Sequence, residues 1–113
     1  GEPFDGKNRR RDKRQRYRRT LRIMVRVEHP GGSSSTFLVR SRDLSEYGMG
    51  FLHGGFVYPQ TNCTVVMPRQ DGKLLSLQGT IVRCRLLQGR LHEVGVHFKE
   101  RVNLADFMDM SAA

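Results

Sequence analysis

Leu21-Arg22-Ile23-Met24-Val25-Arg26-Val27 places Leu21, Ile23, Val25 and Val27 at alternate positions, with Arg22, Met24 and Arg26 between them. Period two marks a half-buried strand, because successive side chains point to opposite faces. Five later runs read as strands too: Phe37–Asp43, Met49–Leu52, Cys63–Met67, Leu74–Leu87 (expected to kink near Gly79) and Leu91–Phe98. Turn-formers separate them: the turn or flexible loop from His29 to Ser35, His53-Gly54-Gly55, Pro68, the hairpin step Asp71-Gly72, and Gln88-Gly89. Beyond them, Asn103 as N-cap and Leu104, Phe107 and Met108 on one face predict a short C-terminal helix. The expectation is an all-β fold, a six-stranded antiparallel barrel whose closure leaves no exposed sheet edge. Its expected core is Leu21, Ile23, Val25, Leu38, Phe51, Val65, Leu75, Leu77, Ile81, Val94, Val96 and Phe98.

With 113 residues the chain fits one domain, and its 37% hydrophobic content suits a compact body carrying a solvated tail. No run approaches the ~20 apolar residues of a membrane-spanning helix, so a soluble domain with no membrane partner is expected. Gly1 stands where Met would begin a chain, and targeting information could have been trimmed away. Cys63 and Cys84 lack metal spacing and lie in apolar runs, as two reduced core thiols of a cytoplasmic protein would.

The net charge of +9 is unevenly spread. Residues 7–26 hold eleven cations, nine of them Arg, against the single anion Asp12, which makes +10; the other nine cations and ten anions sum to −1. An anionic partner for this run follows. The preference for Arg adds specificity, because a planar fork matches phosphate or a guanine edge and an ammonium does not. Residues 1–19 are therefore read as a flexible Arg-rich arm and residues 20–113 as the barrel.

Two constellations could carry chemistry. Arg14 and Arg18 stand four apart just ahead of the first strand, with Tyr17 beside the second. A guanidinium fork can pair with guanine N7 and O6, grip phosphate, or stack on a base. A solvated basic tail would carry the same residues. The second is Asp43-Leu44-Ser45-Glu46-Tyr47-Gly48, continuing to Met49-Gly50. Asp43 can accept from a guanine N1–H and its exocyclic amine. Ser45 can donate to phosphate or cap the turn, and Gly48 and Gly50 allow close approach of a ligand. Asp, Ser and Gly also build ordinary turns.

RxxxR ahead of the first strand, followed about 25 residues later by DxSxxG between strands two and three, resembles the PilZ domain family. The match reads Arg14-Gln15-Arg16-Tyr17-Arg18, then Asp43 to Gly48, and Glu93-Val94-Gly95-Val96-His97-Phe98 is similar to the family's closing strand. The resemblance spans roughly residues 10–110. It implies a bacterial, cytoplasmic receptor barrel for cyclic di-GMP, in which Arg14 and Arg18 contact guanine and phosphate. Asp43 would hold a guanine edge, Ser45 would bond phosphate or backbone, and Gly48 would leave room. Lys13, preceding RxxxR, favours an intercalated dimer of the ligand. Arg10 with Arg14, and Arg18 with Arg22, also satisfy RxxxR, so Arg10 is a further candidate contact, as is Gly50. No late-strand aromatic offers a stacking partner, so either Arg83 or Arg85 fills that role or no residue does.

His29, His53, His92 and His97 show no metal spacing and are expected to be mostly exposed; no catalytic motif is present. The reading is no enzyme, no catalytic residue, no cofactor and no metal. It is instead a signal-transduction module that acts when the ligand orders the arm, presenting a surface to a downstream protein partner or an adjacent domain. The rivals are a nucleic-acid-binding small barrel, disfavoured by scarce aromatic stacking surface, and a docking barrel without ligand.

Overall fold

A computed structural model describes residues 21–107. Six antiparallel strands form a closed barrel in the order β1-β2-β3-β6-β5-β4. They are β1 (Arg22–Glu28), β2 (Ser34–Leu44), β3 (Gly48–His53), β4 (Asn62–Pro68), β5 (Leu74–Gln88) and β6 (Leu91–Phe98). In β1 the alternation holds throughout: Ile23, Val25 and Val27 are buried, while Arg22, Met24, Arg26 and Glu28 face out. Val25 pairs with Val65 of β4, and that ladder closes the barrel.

β2 begins earlier than its apolar residues suggest. Between β1 and β2 the His29 N–H donates to Ser33 O (2.8 Å) and the Gly32 N–H to His29 O (3.2 Å), a tight turn in place of a flexible loop. Gly31 and Gly32 adopt φ of +94° and +98°, a region that favours glycine. The ladder therefore starts at once, with Glu28 opposite Ser34.

The buried interior is led by Phe51, Ile23, Leu44, Met67 and Ile81. Leu38, expected in it, is 82% exposed. Val39 is the residue opposite Ile23, and a one-residue change of phase moves a whole strand face between core and solvent. Leu21, Leu75 and Leu77 pack against the core while only partly buried. Near Gly79, where a kink is expected, β5 changes partner. Gly79 pairs with Cys63 of β4 and with Phe98 of β6, and the β5 irregularities come later, at Ile81/Arg83 and Leu86/Gln88.

The predicted C-terminal helix is a three-residue 3-10 turn, Leu104–Asp106, capped by Asn103, whose Oδ1 accepts from the Ala105 N–H (3.1 Å). Spacing of three between Leu104 and Phe107 suits either helix type. Both are buried with Val102, while Met108 lies outside the described residues.

Cys63 is buried and Cys84 half-buried, both as free thiols. Burial pushes the Cys63 thiol up to about 11. The histidines are less exposed than expected: only His97 is fully so, and His53 stacks on Phe37 with ring centres 4.2 Å apart. Among the described residues, no helix is long and apolar enough to cross a membrane.

Candidate functional site

Asp43, Gly50, Gly95 and Arg83 occupy one row across four strands: Asp43 is opposite Gly50, Gly50 opposite Gly95, and Gly95 opposite Arg83. Two bulges create this row. Ser41 is buried and pairs with Phe51, yet Asp43 pairs with Gly50, so one register step is lost in β2 and Asp43 turns outward. The shift between Ile81 and Arg83 does the same in β5, where strict alternation from buried Ile81 would aim Arg83 into the core. Bulges commonly re-aim a side chain in this way.

Neither Gly50 nor Gly95 has a side chain, and the Asp43 carboxylate and the Arg83 guanidinium fold over them. A Cβ on Gly50 would sit 3.2 Å from Asp43 Oδ1, and one on Gly95 would sit 3.6 Å from Arg83 Cβ. The row forms the floor of a cleft of about 360 Å³ that also takes in Ser45, Gly48 and His97. That volume falls in the range of small-molecule sites, roughly 300–1,000 Å³.

The loop from Ser45 to Tyr47 is fixed at both ends. The Ser45 N–H donates to Gly48 O (2.9 Å), the Ser45 hydroxyl donates to the same carbonyl (3.3 Å), and its oxygen accepts from the Tyr47 N–H (3.4 Å). The Phe98 N–H donates to Tyr47 O and the Val102 N–H to Glu46 O, both at 2.8 Å. Arg101 adds a 2.9 Å ion pair to Glu46, and its hydrogen bond holds that carboxyl below the ordinary range. Gly48 has a structural reason of its own: a Cβ there would collide with the Val96 carbonyl.

A family model for the PilZ domain matches residues 8–111. The chain is a PilZ domain. No curated protein matches it. Among solved structures, that of the Bacillus subtilis inhibitor of motility (MotI/DgrA) is similar, with a TM-score of 0.60 at 10% identity, over 80% of this chain and 43% of that one. At that identity the likeness concerns the fold alone, and this PilZ domain spans less than half of that protein.

The PilZ barrel brings Asp43, Ser45, Gly48 and Gly50 together in one cleft. Arg10, Lys13, Arg14 and Arg18 lie outside the described residues. Arg85 is placed one row away from the cleft floor, where it donates to Glu93 Oε1 (2.7 Å) while Arg42 donates to Glu93 Oε2 (2.9 Å). The Arg85 hydrogen bond leads in holding the Glu93 carboxyl below its ordinary value. Arg83, not Arg85, lies over the cleft floor. Glu93, Gly95 and His97 share the outer face of β6, a period-two signal already present in the sequence, although nothing local says which strands flank it. Among the described residues, no cluster of His, Cys, Asp and Glu is placed to hold a metal.

Proposed function

We propose that this PilZ domain is a non-catalytic receptor for cyclic di-GMP, held in the cleft between Asp43 and Arg83. The row Asp43–Gly50–Gly95–Arg83 carries the reading. A purine needs a flat surface free of side chains, an acceptor for its N1–H and exocyclic amine, and a cation near its phosphate. The Asp43 carboxylate and the Arg83 guanidinium supply the acceptor and the cation, and Gly50 and Gly95 beneath them leave room for the ring once those side chains turn to the ligand. Ser45 and Gly48 complete the loop edge, and Gly50 belongs to the floor.

Residues 1–19 act as the arm on the barrel of residues 20–113. The arm is rooted beside the cleft: the Leu21 N–H donates to Ser41 Oγ and the Ser41 N–H to Leu21 O, both at 2.9 Å, two residues before Asp43. Arg18 stands three residues before Leu21, so its Cα lies within ~11 Å of the Leu21 Cα in any conformation. Arg14 and Arg18 thus reach the ligand from outside, with Arg10 and Lys13 available to a second, intercalated ligand molecule. Without ligand, the cations of residues 7–26 repel one another; the dianion relieves this and orders the arm. The new surface then meets a downstream protein or an adjacent domain in the cytoplasm.

Calorimetry at physiological salt tests the reading. Cyclic di-GMP is expected to bind at micromolar Kd or tighter, and Arg18→Ala and Asp43→Ala each to weaken binding at least about fivefold, each removing an interaction of roughly 1–3 kcal/mol. Equal binding of any polyanion, with a steep salt slope and no effect of Asp43→Ala, would instead assign the arm to nucleic acid.

A further inference from the structure

Away from the cleft, the outer face of β1 and β4 carries an apolar groove. Met24 lies directly between Leu38 of β2 and Val66 of β4, and Pro68 pairs with Leu74 of β5. Leu38 and Leu74 project furthest, 82% and 70% exposed, and with Met24, Val66 and Pro68 they enclose about 470 Å³. Large aliphatic side chains at such exposure, joined by Met24, Val66 and Pro68 across four consecutive strands, mark an interaction surface.

The groove's rim is cationic. Arg22 and Arg40 are directly opposite one another across β1 and β2, and neither has an ion-pair partner among the described residues. Like charges opposed in a ladder destabilise it. No carboxylate lines the groove to relieve them. An anion supplied from outside would.

We propose that this groove docks an acidic, amphipathic helical segment of a partner protein, with its apolar stripe between Leu38 and Leu74 and its carboxylates on Arg22 and Arg40. Three strand spacings separate β2 from β5, ~14 Å along the sheet before curvature, against the ~10–12 Å diameter of a helix with its side chains. A second copy of this chain fits poorly, because it would set two Arg22/Arg40 pairs face to face. The site shares no residue with the ligand cleft, so it goes beyond the receptor reading and stands without it.

The test uses the full chain and a fluorescein-labelled helical peptide with leucine at every third or fourth position and glutamate between, followed by anisotropy. Saturable binding is expected, weakened about tenfold or more by Leu38→Glu and by Arg22→Glu with Arg40→Glu, and unchanged by Asp43→Ala. The same peptide with lysine in place of glutamate is expected to bind at least tenfold more weakly. Leu38 is exposed, so its variant keeps the fold, which the far-ultraviolet spectrum checks. No binding of the acidic peptide up to about 1 mM, or equal binding of the two peptides, overturns the proposal. Binding indifferent to Leu38→Glu overturns it as well. If Leu38→Glu instead abolishes association with phosphatidylcholine–phosphatidylglycerol vesicles, or a concentration-dependent dimer, and the peptide does not bind, the groove belongs to a membrane or a second copy.

Discussion

Gly48 lacks a side chain for reasons of space, and Gly95 does not. At Gly48 a methyl group would strike the Val96 carbonyl, part of a paired ladder that cannot yield cheaply. At Gly95 it would meet Arg83 at ordinary contact distance. Gly48→Ala is therefore expected to cost about 1–3 kcal/mol in urea unfolding, while Gly95→Ala stays under about 1 kcal/mol yet weakens cyclic dinucleotide binding by raising the cleft floor. A normal urea midpoint for Gly48→Ala would contradict this account of the β3–β6 contact. The thiols differ too. With Cys63 buried and its pKa pushed up to about 11, alkylation at pH 8 of the native protein is expected to label Cys84 alone, and urea to release Cys63.

The strands test how far alternation alone carries. Phe37-Leu38-Val39 offers three apolar residues in a row, so either phase gives a plausible inner face, and only pairing with Ile23 and Val25 selects Phe37 and Val39. Val39→Ala is expected to cost about 2 kcal/mol and Leu38→Ala less than about 0.5 kcal/mol, compared by urea midpoint. The opposite order would mean the phase of β2 is reversed. Bulges set the same limit at the site. Asp43 was legible as a candidate residue of the cleft because Ser45, Gly48 and Gly50 lie beside it in the chain. Arg83 was no more conspicuous than Arg85, because both face outward after the register shift at Ile81 and only the pairing with β6 sets Arg83, not Arg85, opposite Gly95. The C-terminal turn misled for a related reason, since a spacing of three does not tell a 3-10 turn from the start of an α-helix.

Across the barrel, carboxylates join elements distant in sequence: Glu93 takes Arg85 and Arg42, Glu46 takes Arg101, and Asp106 takes Arg69. Glu93 and Glu46 are held below the ordinary value of 4.5, chiefly by the Arg85 and Arg101 hydrogen bonds. The folded state thus binds fewer protons than the unfolded one around that pH. Their contribution is present above 4.5 and disappears as pH falls through the lower folded values. Stability measured in urea is expected to fall on acidification below that point, and more gently in Glu93→Gln. An acid slope unchanged in that variant would assign the loss to other groups.

The sequence by itself determined the strand count, the turns, the concentration of charge ahead of β1 and the Asp43–Gly50 half of the cleft, because each is written in neighbouring residues. Tertiary structure alone decided that β6 lies between β3 and β5, which sets Gly50 against Gly95 and brings Arg83 to the cleft. It also decided which of two adjacent side chains faces outward on β2. Side-chain alternation specifies which residues share a face; the partner a strand finds, and where a bulge shifts the count, depend on contacts between residues far apart in the chain.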